Sequence, residues 1–189
     1  MADPALQFQP VVRLELAKYF VLISDSSIAV SCKLPYSGWT AFREVILEIL
    51  RAVKTIGVVT RLNRYSLKYV DVLPAADMQD QVRALKWSVK LGEHLLRRES
   101  ALLRVEIPKD SFIHLVTTQT GVTLRLPGRA EVEGIAVDVD SVAIVDGIDF
   151  EKFIDNLSER LNLLHAENKM MFFDLLTDET LNSLEPSYE

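Results

Sequence analysis

The sequence predicts an α+β fold: a largely antiparallel sheet with two long helices packed across it. Three observations carry that expectation. Short apolar runs of strand length follow one another with few helical stretches between them, an order that favours antiparallel pairing over crossovers. Two stretches, from Trp39 to Val53 and from Phe150 to Leu164, carry apolar residues at helical spacing. The 189 residues, 49% hydrophobic and 25% charged, have ordinary globular composition and suit one core. No Pro-, Gly- or Ser-rich linker interrupts them, so residues 1–189 read as a single domain. Strands followed by a long helix occur twice along the chain, an order compatible with pseudo-duplicated halves.

The elements follow in order. Val11 to Ile23 alternates at first and then turns continuously apolar, as a strand that becomes buried on both faces would. Asp25-Ser26-Ser27 is a turn cluster and Ile28 to Leu34 the returning strand, which together predict a hairpin. After Pro35, Ser37 is placed to cap a helix whose apolar stripe includes Trp39, Phe42, Ile46 and Val53, and Gly57 closes it. Val58 to Leu73 reads as a long strand with Tyr65, Leu67 and Tyr69 on one face and Ser66, Lys68 and Val70 on the other. Asp77 to Arg83 suits a helical turn, and the alternation from Lys86 to Leu91 suits a strand with one wet face. Four further strands are expected at Leu102–Ile107, Phe112–Thr118, Val122–Leu126 and Glu131–Val145, with turns at Pro108-Lys109-Asp110 and Thr120-Gly121. Asp149 suits the N-cap of the second helix, and Thr177 that of a last short turn.

Charge excludes more than it assigns. The net charge is −6 and the pI about 5.2, so the chain as a whole is a poor nonspecific polyanion binder. Residues 40–107 nevertheless hold twelve bases against eight acids. Within them Arg61, Arg64 and Lys68 form a basic patch beside Tyr65 and Tyr69. A stacking platform for single-stranded nucleic acid needs cations and aromatics exposed together. Strand parity puts Arg64 and Lys68 on the face opposite the tyrosines unless the strand bulges, which argues against a nucleic-acid partner.

No other motif supplies a chemistry. The seven glycines form no phosphate loop, so no nucleotide cofactor is expected. His94, His114 and His165 are far apart and show no zinc spacing. Asp138 and Asp140 share a strand face and are the candidate ligands for a hard cation, against the alternative of a wet strand face. Ser26, Ser27 and Ser31 have no histidine near in sequence, and no catalytic constellation emerges. The one cysteine, Cys32, cannot form an internal bridge. With no secretory signal pattern and no apolar run approaching the roughly 18 residues of a membrane span, a cytoplasmic location without membrane contact is expected.

Several segments together resemble a known family. Pro35-Tyr36-Ser37-Gly38-Trp39-Thr40-Ala41-Phe42 leads into the first helix, and Arg61 to Asp71 reads RLNRYSLKYVD. Val137-Asp138-Val139-Asp140 precedes a closing helix with His165, Phe172-Phe173 and Leu175-Leu176-Thr177. This order resembles a sporadically distributed prokaryotic protein family of uncharacterised function, over most of residues 10–183. Asp71 stands where that family often has asparagine. The resemblance supplies no catalytic residues and implies an accessory gene product rather than a housekeeping enzyme.

The functional expectation is therefore a noncatalytic interaction module that self-associates or binds a protein partner. The apolar run at Met170–Leu176 makes Met171 and Phe173 the expected centre of its contact surface. The alternative is a small-ligand-binding protein or an enzyme with a pocket between sheet and helix.

Overall fold

The computed structural model describes residues 10–126 and 128–184. It is α+β, and every strand pairing is antiparallel. The described residues group into two compact units, one of residues 10–60 and 150–158 and one of residues 61–126, 128–149 and 159–184. Each is described on its own.

The first unit begins with a meander of three strands, β1 (Val12–Leu16), β2 (Tyr19–Ile23) and β3 (Ile28–Cys32), in the order β1-β2-β3. The single strand expected from Val11 to Ile23 is in fact a hairpin, turning at Ala17-Lys18. Ala17 takes φ 41° there, a conformation its side chain disfavours and for which the local sequence carries no glycine or asparagine signal. The second hairpin lies where the serine cluster places it, with Ser24 N–H donating to the Ser27 carbonyl at 2.9 Å. Helix α1 (Trp39–Ile56) follows. Its N-cap is Gly38, at φ 88°, and not Ser37, and no side chain caps it. Gly57 closes it in the left-handed region, donating its N–H to the Val53 and Lys54 carbonyls. Phe42, Ile46, Leu47 and Val53 are buried, and Phe42 stacks on Tyr19 with ring centroids 6.0 Å apart.

The second unit is built on a four-stranded sheet of β4 (Arg61–Pro74), β7 (Leu102–Lys109), β8 (Phe112–Leu124) and β9 (Val132–Asp149), in the order β4-β9-β8-β7. The alternation read in β4 holds: Leu67 is buried, Tyr65 and Tyr69 are half-buried, and Ser66, Lys68 and Val70 are exposed. Thr120-Gly121 is not a turn between strands but an irregularity inside β8, where the register shifts between Gln119 and Val122. Gly121 sits there at φ 68° with its N–H donated to Gln81 Oε1 at 2.7 Å. Pro108 lies within edge strand β7, opposite Ile113, where its missing N–H disrupts no inner ladder.

Between β4 and β7 come helix α2 (Met78–Arg83) and a two-stranded hairpin, β5 (Lys90–Leu91) with β6 (His94–Leu95). The strand expected over Lys86–Leu91 shrinks to its last two residues. Residues before it are held by tertiary bonds instead: Lys86 N–H to Leu175 O at 2.7 Å and the Trp87 indole to Val82 O at 2.7 Å. The second long helix divides at Asn156 into α3 (Phe150–Asp155) and α4 (Leu157–Leu175), and a short α5 (Asp178–Ser183) is capped by Thr177 as expected. Thus α1 and α4 are the two long helices. Leu73, Ala84, Leu85, Val116, Ile135, Val137, Val139, Met171 and Leu176 form one continuous apolar cluster in this unit. Among the described residues no helix is long and apolar enough to cross a membrane.

Candidate functional site

Two of the sequence candidates meet on one surface. Register pairs Lys68 with Asp140 and Val70 with Asp138, so the basic patch of β4 and the acidic pair of β9 lie side by side on the outer face. The Lys68 ammonium reaches Asp138 Oδ2 at 2.6 Å. Asp140 accepts a hydrogen bond from Ser66 and feels Lys68 and Arg64, yet burial pushes its carboxyl above the usual carboxylate range. Arg61 is diverted by the irregularity near the strand's start, where its guanidinium Nε donates to the Gly147 carbonyl at 2.9 Å. The bases are thus engaged by neighbouring acids and carbonyls. No cluster of three or more histidine, cysteine or acidic side chains able to hold a metal occurs among the described residues. The tyrosines remain on the opposite face.

On the inner face the structure assembles a group that sequence reasoning missed. Asn168 of α4 donates its amide to Leu67 O at 3.0 Å, Val139 O at 2.9 Å and Ser141 Oγ at 2.9 Å. Ser141 Oγ also lies 2.8 Å from His114 Nδ1. Burial, reinforced by Lys109, holds the His114 ring below the usual histidine range, with Glu167 opposing. Its Nε2 has no hydrogen-bond partner among the described residues. A serine hydroxyl on an imidazole is the start of a nucleophilic pair. Here His114 and Ser141 are both fully buried, and with Asn168 they form a polar clasp between helix and sheet. A signal for Asn168 does exist in the sequence. Buried Leu157, Leu161, Leu164, Asn168 and Met171 recur at helical spacing, and Asn168 is the polar member of that stripe.

The same phase decides Met171. It lies on the buried stripe, 6% exposed in the apolar cluster, and Phe173 is half-buried against that cluster. The surface expected at Met171 and Phe173 is core at the first position and partly covered at the second, because sheet and helix enclose this segment. The other histidines are peripheral: His94 Nε2 lies 3.1 Å from Glu99, and His165 stands edge-on to Tyr69. Cys32 is half-buried, its thiol directed at Lys33 O at 3.2 Å.

Two concavities bear on ligand binding. One of about 140 Å³ lies against Trp87, Leu103, Val105 and Ile107 and is almost wholly apolar. It is smaller than the roughly 300–1,000 Å³ of typical small-molecule sites. The other, about 520 Å³, is an open depression beside His94, Arg97 and Arg98. Glu99 already takes the Arg97 and Arg98 backbone N–H groups, which hold its carboxyl down at about 2.

An exposed apolar row lies on the first unit. All five residues of edge strand β1 are exposed, including Val12 (44%), Leu14 (48%) and Leu16 (50%). These three share a face with Tyr19 and Val21 of β2, yet Val21 is only 5% exposed. The apolar face therefore runs from a covered centre to an open edge.

What fold and site define is an α+β protein with polar groups clasped in its core and an apolar sheet edge. Comparison with protein-family models, with curated proteins and with solved structures finds no match.

Proposed function

We propose that this chain is a noncatalytic interaction module that works by self-association. The supporting observation is the row Val12, Leu14 and Leu16 on edge strand β1, apolar and about half exposed. An edge strand offers unpaired N–H and C=O groups along its length, and natural edges are usually blunted by charge, proline or cover. Here one face of the strand is apolar throughout. The buried His114–Ser141–Asn168 group is consistent with this reading, since it ties helix and sheet together.

Sedimentation velocity across a wide concentration range tests the proposal. A dimer or higher species that grows with concentration is expected. A strict monomer at high concentration overturns it.

A further inference from the structure

We infer that the partner on β1 is the β1 strand of a second copy, joined antiparallel about a two-fold axis through Leu14. This deepens the self-association reading and rests on it. The argument begins with which peptide groups are free. The hairpin closes at Leu16–Tyr19 around two residues, so Leu16, Leu14 and Val12 are the positions that exchange hydrogen bonds with β2. The N–H and C=O groups of Arg13 and Glu15 consequently point out from the edge.

Antiparallel addition must then pair outward residues with outward residues. Setting Arg13 opposite Arg13 or Glu15 opposite Glu15 places like charges together. Setting Arg13 opposite the second copy's Glu15 places opposite charges together twice by symmetry, each pair exchanging both backbone bonds. In that register Leu14 faces Leu14 across the axis and Val12 faces Leu16. The half-exposed rows of the two copies become one apolar strip across a six-stranded sheet.

Both charges already have a partner within the chain, which a second copy would have to share. The Arg13 guanidinium lies over the Phe20 ring at 3.8 Å, and Glu15 is held by Lys33 and carries its charge more firmly than a free carboxyl, its pKa lowered by that contact. Both sit on the face opposite the leucines, so ion pairs and apolar strip do not compete for space. Lys68 and Asp138 form a cross-strand ion pair within the chain too, there on the diagonal, two residues from direct opposition.

Two single variants and their mixture test the pairing. Arg13→Glu leaves two acids on the edge and Glu15→Arg leaves two bases, so each alone should associate at least about tenfold more weakly than the parent. Mixed in equal amounts they should form a heterodimer, which a mass difference or a tag on one chain resolves. Separately, Leu14→Cys in a Cys32→Ser background should oxidise to a covalent dimer, because facing residues in a non-hydrogen-bonded pair lie about 4.5 Å apart at Cα. Arg13→Cys in the same background should not, since those positions are diagonal. If the parent dimerises but the variants do not segregate by charge and Leu14→Cys does not cross-link, self-association stands and this pairing falls. If the parent is strictly monomeric, both fall. Circular dichroism of each variant establishes that it folds, which the exposure of all five β1 residues favours.

Discussion

Replacing Asn168 by leucine isolates what the buried clasp contributes. The two side chains are close in volume, so little cavity forms, and the change removes one donor group. In the parent that amide serves two strand carbonyls, Leu67 O at 3.0 Å and Val139 O at 2.9 Å, and the Ser141 hydroxyl at 2.9 Å. Its two hydrogens are shared among three acceptors, so the loss is less than three full bonds. A buried acceptor left facing an apolar group costs about 1–3 kcal/mol, while the leucine recovers some burial energy. The expected net loss is about 2–4 kcal/mol. Urea unfolding in a Trp39→Phe background, followed by the fluorescence of Trp87, measures it within the unit that holds the clasp. A double-mutant cycle with Ser141→Ala should show coupling of about 0.5–1.5 kcal/mol. A loss below about 0.5 kcal/mol for Asn168→Leu would refute the view that the clasp holds helix to sheet.

Further expectations concern single positions. His114 has its folded pKa lowered by burial, so the unfolded chain binds the extra proton first. Stability from this residue is complete above the ordinary histidine pKa of about 6.5 and declines as pH falls from there toward the folded value. His114→Gln should flatten the fall in stability between pH 8 and pH 5, measured by urea unfolding across that range. Gly134→Ala should cost about 2 kcal/mol or more by thermal or urea unfolding, because its Cβ would clash with the backbone oxygen of Leu73. Ala17→Gly should stabilise the chain by about 0.5–1 kcal/mol, measured the same way, by relieving φ 41° in the β1–β2 turn. Lys68→Ala should cost less than about 1 kcal/mol, since its bond to Asp138 is half exposed to solvent.

Much of the local structure was legible in the sequence because its causes are local. The stripe of α1, its stop at Gly57, the hairpin at Ser24–Ser27, the alternation of β4 and the cap at Thr177 each depend on residues a few positions apart. Local reading failed where a turn carried no chemical mark, as at Ala17, or where a bend stayed inside one strand, as at Gly121. It failed also over Lys86–Leu91, where bonds to Leu175 and Val82 override a clean alternation.

The sites needed the tertiary structure. Apolarity alone marks Met171 and Leu14 alike, yet Met171 is core and Leu14 is open, because burial depends on what a distant element covers. Asp138, Asp140 and Lys68 are candidates for separate sites in isolation; register makes them neighbours, with Lys68 ion-paired to Asp138. His114 and Ser141 are 27 residues apart, and Asn168 lies 101 residues from Leu67. Pattern within a window of a dozen residues determines helix, strand and turn. Which polar groups meet, and which strand lies at a sheet edge among the described residues, is decided by strand order, which brings distant segments within hydrogen-bonding reach.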